Sequence, residues 1–312
     1  MFDRNVILGY NIIRVGDVFM NDKLEIMRNK KGFIAALDQS GGSSKKTLSL
    51  YGVSESSYET DDEMFSLIHD MRSRIITDKE FTSEKIIGVI LFYQTMTRKI
   101  NSEYTPTYLW NNKKMLSFLK IDKGLEEQQN GVKLMKEIDN LDEVLTGAKE
   151  YGVFGTKMRS VIYEYNEVGI KEIVKQQFSY AKRICEYGLV PIIEPEVDIN
   201  SKDKKEIEIL LKREIDYQLS LLNDEKIMFK FTLPEEDDFY IDYTNNKNVV
   251  RVVALSGGYN KNIACDKLKN NHNVIASFSR ALLEGLNINL SDEEFSAALK
   301  DSVDMIYKAS IT

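Results

Sequence analysis

The sequence predicts an α/β protein of the TIM (β/α)8 barrel class, folded as a single domain. Two patterns support this prediction: eight short apolar runs rich in Val, Ile and Phe, and amphipathic stretches between them. In addition, no linker rich in Pro or Gly divides the 312 residues, which contain only 4 Pro. We therefore expect one barrel rather than two separate domains.

The apolar runs are the candidate strands of the barrel. Each is a continuous stretch of hydrophobic residues, which is typical of parallel strands covered on both faces. In chain order the predicted strands are residues 33–38, 86–92, 115–122, 154–158, 189–196, 227–233, 249–256 and 274–280.

Helices are predicted where apolar residues recur at steps of three and four. This spacing is clearest in residues 62–77, 169–187, 204–222 and 292–309. A doubly wound parallel sheet is the competing architecture, but it favours a glycine-rich turn after the first strand. The sequence there, DQSGG at residues 38–42, does not match the G-x-G-x-x-G pattern.

The beginning of the chain differs from the rest. We predict that residues 1–19 form an extension outside the fold and that residues 20–312 form the barrel. The extension lacks the apolar core and small-residue cleavage site of a secretory signal. A charged helix is expected to begin near Met20. The alternative is that residues 1–19 pack as a strand or helix against the base of the barrel.

Composition narrows the possible chemistry. The net charge of −7 disfavours nucleic acid as a partner, and no apolar run approaches the roughly 18 residues that cross a membrane. The chain has only two cysteines, Cys185 and Cys265, which are too few for a disulfide framework. A cytoplasmic location is therefore expected. The chain has only two histidines, His69 and His272, which excludes a metal site made of three histidines. Both are expected at the surface or in loops. Catalysis is therefore expected to use mainly Lys, Arg, Asp and Glu, and no cofactor is expected.

Charged residues interrupt the predicted strands near their carboxyl ends, where barrels of this class carry their functional groups. A charge inside an apolar strand is costly unless it is paired or used. Because side chains alternate faces along a strand, residues two apart share one face. Such pairs are Lys120 and Asp122, Lys157 and Arg159, and Glu194 and Glu196, while Asp38 and Arg280 end the first and last predicted strands.

Lys230 is the candidate nucleophile. It lies between two phenylalanines in the sixth predicted strand, so its amine is expected to be buried among aromatic rings. Burial and a nearby cation favour a neutral amine, which can attack a ketone to form a Schiff base. Lys157 is the expected cation, because alternate strands contribute to one layer of a barrel. The alternative is a structural ion pair between Lys230 and Glu194 or Asp38.

Glu194 and Glu196 are candidates for acid and base catalysis. Like charges at close range separate the pKa values of two carboxyl groups, so one of the pair could transfer the protons that dehydration of a carbinolamine requires. Either residue could instead only hold Lys157 or Lys230 in place.

Two regions are expected to bind anions. Ser256 and Gly257 lie at the end of the seventh run and Arg280 ends the eighth, where this architecture commonly binds phosphate. A second group consists of the hydroxyls of Ser40 and Ser43, after the first run, and the charge of Lys120 in the third run. Two anion-binding ends fit a bisphosphorylated substrate. The complete set of candidate binding residues is Ser40, Ser43, Lys120, Arg159, Ser256, Gly257 and Arg280.

Five segments carry a family resemblance: residues 32–43 (GFIAALDQSGGS), 119–124 (LKIDKG), 155–159 (GTKMR), 190–196 (VPIIEPE) and 255–258 (LSGG). They strongly resemble class I fructose-bisphosphate aldolases, most closely the bacterial, staphylococcal-type branch, from about residue 20 to the end. The resemblance implies a TIM barrel and an enzyme of glycolysis and gluconeogenesis. It also implies reversible cleavage of fructose 1,6-bisphosphate to dihydroxyacetone phosphate and glyceraldehyde 3-phosphate without a metal.

The resemblance also implies residue roles. Lys230 would be the Schiff-base lysine, Glu194 the acid and base for carbinolamine formation and dehydration, and Asp38 the acceptor of the C4 hydroxyl proton. Lys157 would supply positive charge and Glu196 would support this network. Ser256, Gly257 and Arg280 would bind the ketone-side phosphate, with Ser40, Ser43 and Lys120 near the other phosphate.

Three positions depart from the animal enzymes. Gln39 replaces an acidic residue, Phe231 follows the lysine where proline is usual, and Ser279 replaces a glycine before Arg280. Tyr307, near the end of the chain, is expected to face a helix, so no residue is assigned to enamine protonation.

Two alternative functions remain open at the level of sequence. One is another lysine-dependent barrel lyase, transaldolase-like or of the deoxyribose-phosphate type, which the paired anion-binding ends disfavour. The other is a surface-displayed binding protein that uses the barrel as a scaffold, which the costly charges at the strand ends disfavour. The sequence does not predict the oligomeric state.

Overall fold

Eight parallel strands form a nearly closed barrel with helices between them, and this confirms the predicted fold class. The computed structural model describes the backbone of residues 15–312 and the side chains of residues 20–312. The barrel strands are β1 (Phe33–Leu37), β2 (Ile86–Leu91), β3 (Leu116–Lys120), β4 (Gly155–Ile162), β5 (Val190–Val197), β6 (Ile227–Thr232), β7 (Val249–Leu255) and β8 (Ile275–Ala276).

Each barrel strand pairs in parallel with the next one along the chain. The first and last strands meet at a seam where the ladder is incomplete. There the N–H of Ala36 donates to the carbonyl of Phe278 at 3.4 Å. Two short strands, Lys99–Ile100 and Glu103–Tyr104, form a separate antiparallel pair, and Val132–Lys133 pairs with β4.

The described residues form twelve α-helices, most of which pack around the barrel. They are α1 (Val15–Asn29), α2 (Gly42–Tyr51), α3 (Asp61–Thr77), α4 (Tyr93–Met96), α5 (Thr105–Lys113), α6 (Leu141–Glu150), α7 (Glu167–Glu186), α8 (Lys204–Ser220), α9 (Ile241–Thr244), α10 (Lys261–Lys269), α11 (Arg280–Leu283) and α12 (Asp292–Ala309). A 3-10 helix spans Glu55–Ser57.

The four helices predicted from apolar spacing correspond to α3, α7, α8 and α12, with ends within two residues of the prediction. The starts of α3 and α12 have a clear cause in the sequence. At α3 the Thr60 side chain accepts from the Glu63 N–H, and the Glu63 carboxylate accepts from the Thr60 N–H. Ser291 and Glu294 make the same two bonds at the start of α12. Such capping boxes satisfy backbone N–H groups that have no partner within the helix.

The last strand is shorter than predicted. Only Ile275 and Ala276 form a ladder with β7, whereas the apolar run suggested a strand over residues 274–280. The chain turns away after Ser277, and Arg280 begins α11 instead of ending a strand. A strand that leaves its ladder early carries the following residues across the mouth of the barrel.

The inside of the barrel is filled with apolar side chains rather than open. Phe118 and Phe154 pack edge to face there, with ring centroids 5.5 Å apart, beside Ile192 and Met228. A larger apolar core lies between the strands and the surrounding helices. Because the lower barrel is filled, the open space enclosed by the strands lies near their carboxyl ends.

Helix α1 lies across the base of the barrel. It begins at Val15, five residues before the predicted start near Met20. Met27 is completely buried in the inner core, and Leu24 packs against the same cluster. Residues 1–14 lie outside the described part of the chain, so an extension over residues 1–19 stays a prediction.

Within the described part of the chain, no helix has both the length and the apolar character that crossing a membrane requires.

Candidate active site

A cavity of about 520 Å³ opens at the carboxyl ends of the barrel strands. All twelve residues proposed from the sequence line it, although they come from most of the strands and their loops. They are Asp38, Ser40, Ser43, Lys120, Lys157, Arg159, Glu194, Glu196, Lys230, Ser256, Gly257 and Arg280.

Four buried charged residues form a connected network at the floor of this cavity. Lys157 Nζ lies 2.7 Å from Asp38 Oδ2 and 3.0 Å from Glu194 Oε2. The other oxygen of Glu194, Oε1, lies 3.1 Å from Lys230 Nζ. Each of the four side chains is at most 10% exposed. Two cations and two carboxylates therefore balance in a place that water hardly reaches.

The network holds both carboxyl groups in their ionised form. Burial raises the pKa of Asp38, but the charges of Lys157 and then Lys230 outweigh burial, so the pKa lies well below its usual range. Burial likewise raises the pKa of Glu194, and Lys157 and Lys230 again lower it below the usual value.

The pKa of Lys157 moves in the opposite direction to those of its partners. Burial lowers the pKa of its ammonium group, but Asp38 and then Glu194 outweigh burial and raise it above its usual range. Lys157 is therefore a fixed positive charge at the centre of the cavity.

Lys230 is buried among charges rather than among aromatic rings, so that part of the sequence prediction is wrong. Phe229 and Phe231 point to the opposite face of β6, because side chains alternate along a strand. They stack on each other with ring centroids 5.0 Å apart, and Phe231 also stacks on Tyr240 at 4.0 Å. This aromatic packing outside the barrel accounts for Phe231 and leaves the lysine facing the cavity.

Glu196 and Arg159 form a second pair beside the network. The guanidinium Nε of Arg159 donates to Glu196 Oε2. Burial lowers the pKa of Arg159, but Glu196 outweighs it and raises the pKa above its usual range. The two glutamates on β5 are thus neutralised by separate cations. Repulsion between Glu194 and Glu196, which we expected to separate their pKa values, is not among the main influences on Glu194.

Lys120 and Asp122 lie on the β3 side of the cavity. Lys120 Nζ donates to Asp122 Oδ1 at 2.6 Å. The second carboxylate oxygen, Oδ2, is buried and has no hydrogen-bond partner. A buried acceptor without a donor is costly, so this oxygen depends on the nearby Lys120 charge.

The β7–β8 side of the cavity offers donors to an anion. Gly257 has a φ of +60°, and a Cβ at this position would lie 2.7 Å from the side chain of Ile199, so glycine is required. Ser256 is buried beside it. Among residues 20–312, whose side chains the structure describes, the exposed guanidinium of Arg280 makes no ion pair or hydrogen bond, so its donors are free to bind an anion.

The loop after β1 supplies the other polar wall. The Ser43 hydroxyl is occupied within the loop, since it donates to Ser40 O at 2.7 Å and accepts from Ser40 N–H at 2.9 Å. Sequence reasoning missed Lys46 and Thr47, which also line the cavity. They lie three and four residues after Ser43 on α2, a spacing that could have placed them on the same helix face.

Two buried side chains behind the cavity were also missed. Gln177 on α7 accepts from the Glu194 N–H at 2.9 Å and donates to the Glu194 carbonyl at 3.2 Å. Arg72 on α3 is completely buried and donates to Gln39 O at 2.7 Å and Oε1 at 3.0 Å. Neither lies on a predicted strand, so the pattern that identified the other residues could not find them.

The two histidines lie away from the cavity. His69 is buried on α3, with Nε2 3.0 Å from the Lys99 carbonyl, so its expected surface position is wrong. The short hairpin that contains Lys99 covers that face of the helix. His272 lies in an exposed loop beside Asp238, as expected.

The fold and cavity together define a class of protein: a (β/α)8 barrel with a buried cluster of lysines and carboxylates at the carboxyl ends of its strands, where enzymes of this fold carry their active sites. The family model for class-I fructose-bisphosphate aldolase matches residues 20–236. The chain belongs to this family, whose members cleave fructose 1,6-bisphosphate reversibly in glycolysis through a Schiff base and without a metal. Residues 256, 257 and 280 lie beyond the matched segment.

Comparison with solved structures supports the same fold. The chain is similar to fructose-bisphosphate aldolase from Plasmodium falciparum, solved in complex with TRAP and a small molecule inhibitor. The TM-score is 0.71 with 19% identity over 93% of each chain. A sialic acid synthetase from Leptospira borgpetersenii matches with a TM-score of 0.40 and 12% identity, over 90% of this chain and 85% of that chain.

Proposed function

We propose that Lys230 is the residue that forms the Schiff base and that Glu194 transfers the protons of this step. The observation that carries the proposal is the 3.1 Å separation between Lys230 Nζ and Glu194 Oε1. A carboxylate at this distance is within reach to accept a proton directly from the amine. Of the lysines that line the cavity, Lys230 is the one that lies on β6.

Schiff-base formation then proceeds in three proton transfers. Glu194 takes a proton from the Lys230 ammonium, and the neutral amine adds to the ketone carbon at C2. A proton then moves from the added nitrogen to the former carbonyl oxygen, which gives the carbinolamine. The protonated Glu194 returns its proton to the carbinolamine hydroxyl, which leaves as water while the iminium forms. Lys157 keeps its own charge throughout, so the site remains able to stabilise the developing oxyanion.

Asp38 is proposed to accept the proton of the C4 hydroxyl. As that proton leaves, the C4–O bond becomes a carbonyl, the C3–C4 bond breaks, and its electrons enter the iminium to give an enamine. Lys157, 2.7 Å away, keeps Asp38 ionised before the reaction. The residue that protonates the enamine remains unassigned.

The remaining lining residues are proposed to bind the substrate. Ser256, Gly257 and Arg280 would bind the phosphate on the ketone side, and Ser40, Ser43, Lys120 and Arg159 would serve the other end of the sugar. Glu196 would support the network by orienting Arg159. Because the hydroxyl and the backbone N–H of Ser43 both donate to the Ser40 carbonyl, the neighbouring Lys46 is better placed to donate.

Borohydride trapping tests the nucleophile directly. The protein is incubated with dihydroxyacetone phosphate, reduced, digested and mapped by mass spectrometry. We expect the adduct on the peptide that contains Lys230 and none in Lys230→Arg. Lys171→Arg, which replaces an exposed lysine on α7, is the matched control and should keep the adduct. An adduct on a different lysine, or activity that EDTA abolishes, would refute the mechanism.

The finer features of the protein are also proposals. We propose membership of the bacterial, staphylococcal-type branch, supported by the segments at residues 32–43 and 119–124. A cytoplasmic location is supported by the glycolytic family and the two free cysteines. Sugar phosphates are the proposed partners, and the net charge of −7 argues against nucleic acid.

A further inference from the structure

A second polar cavity lies at the base of the barrel, at the opposite end from the catalytic cavity. Its volume is about 450 Å³, and it lies where β7 begins and α1 ends. Two arginines and four asparagines contribute to its wall, and no Asp or Glu of the described residues lines it. These residues are Arg28, Arg251, Asn29, Asn245, Asn246 and Asn273.

Arg251 reaches this cavity because the beginning of β7 is irregular. The register with β6 shifts between Val249 and Arg251, while Val250 joins the inner core. A bulge of this kind redirects a side chain at the edge of a barrel. The guanidinium Nη2 donates to the carbonyl of Lys30 at 2.5 Å, but Nε is buried without a partner.

Arg28 faces the same space from the last turn of α1. Its Nε is also buried and has no hydrogen-bond partner. Among the side chains of residues 20–312, neither Arg28 nor Arg251 has a carboxylate as an ion-pair partner. Burial lowers the pKa of Arg251 to about 10. Two half-buried cations beside one cavity are costly unless an anion joins them.

We propose that the cavity between Arg28 and Arg251 is a binding site for a small oxyanion, namely phosphate or a phosphate monoester. The guanidinium group presents several N–H donors in a plane, which suits the oxygens of phosphate. An anion bound there would lie beside both guanidinium groups. The site is independent of the catalytic cavity, because the filled core of the barrel separates the two.

Binding of phosphate to variants tests the proposal. Inorganic phosphate and phenyl phosphate are titrated calorimetrically, at constant ionic strength, into the parent protein and Arg28→Gln. The matched control is Lys247→Gln, which removes an exposed positive charge near the cavity from a residue that does not line it. Phosphate that enters the catalytic cavity contributes equally to all three proteins and cancels in the comparison.

We expect Arg28→Gln to weaken one binding event by at least about tenfold, Lys247→Gln to change it less than about twofold, and aldol cleavage to remain normal in both. Arg251→Gln should weaken the same event if that variant folds. Equal binding by the parent and Arg28→Gln would refute the site. Equal weakening by Lys247→Gln would show diffuse charge attraction instead. Binding of both probes indicates room for an ester, and binding of inorganic phosphate alone indicates the free ion.

Discussion

Gln39 and Ser279 are joined by a short hydrogen bond across the seam between the first and last strands: Gln39 Nε2 donates to Ser279 Oγ at 2.6 Å. Both positions depart from the animal enzymes that the sequence resembles, and the structure shows that they are in contact. Gln39 Oε1 in turn accepts from Arg72 at 3.0 Å. The turn before Arg280 is therefore held by side chains where the backbone ladder is incomplete.

Removing this contact should loosen the turn that presents Arg280. In Ser279→Ala, Gln39 Nε2 keeps only a long contact of 3.4 Å to Ala36 O. Loss of one hydrogen bond is worth about 1 kcal/mol, so we expect the KM for fructose 1,6-bisphosphate to rise about fivefold with kcat little changed. Steady-state kinetics measure this, and a double-mutant cycle with Gln39→Ala isolates the pair. Additive effects in that cycle would contradict the coupling.

Glu194→Gln should slow formation of the Schiff base, because an amide cannot take the proton from Lys230. A reduction of about 10²–10⁴ in this step is expected, measured by rapid quench with borohydride. Glu208→Gln is the matched control, since Glu208 is also a buried glutamate paired with a lysine, Lys204, at 2.5 Å. Normal turnover in Glu194→Gln would remove this residue from the mechanism.

Lys157→Met should move the acidic limb of the pH profile of kcat/KM to higher pH. Lys157 lowers the pKa values of Asp38 and Glu194, and without it the effect of burial, which raises both, would gain weight. The two carboxylates contribute stability above their unfolded pKa values, and this contribution is lost as pH falls. Acid unfolding should therefore also begin at higher pH. Lys120→Met, in the same cavity, should shift the acidic limb less, because Lys120 has the smallest of the effects that lower the pKa of Asp38; equal shifts would refute the assignment.

Gln177 is expected to act as a positioning residue for Glu194. Gln177→Leu leaves the buried N–H and carbonyl of Glu194 without this partner, at a cost of about 1–3 kcal/mol for each unsatisfied group. Gln176→Leu is a close control, because Gln176 bonds the N–H and carbonyl of Met135 in the same way. Both variants should lower the free energy of urea unfolding. Only Gln177→Leu should also slow borohydride-trapped adduct formation, and an equal effect from Gln176→Leu would indicate a purely structural role.

Deleting residues 1–19 should leave kcat near normal although it removes the first five residues of α1, because Met20, Leu24 and Met27, which pack in the inner core, are kept. Met27→Ala, by contrast, removes a completely buried side chain from the inner core and should destabilise the protein by about 2–5 kcal/mol. Activity assays and urea unfolding measure both effects. Loss of activity in the deletion variant would show that the first residues belong to the fold.

Hydrophobic runs and the charges within them were sufficient to predict the barrel and the residues around its cavity. The strands of a parallel barrel are buried on both faces, so a charged residue in one is conspicuous, as Lys230 is. Phe229 and Phe231 suggested an aromatic environment for Lys230, and this was wrong because neighbouring residues in a strand point to opposite faces. The early end of β8 and the contact between Gln39 and Ser279 depend on tertiary packing at the seam, which local sequence does not encode.

The filled interior below Phe118 and Phe154 makes the barrel a cup rather than a tube. Substrate and both products must then pass through one opening, and the two products leave in a fixed order. The glyceraldehyde half has no bond to the enzyme and departs first. In the proposed mechanism the half tethered to Lys230 can follow only after protonation and hydrolysis, so an aldehyde that lingers at the opening delays every later step of the cycle.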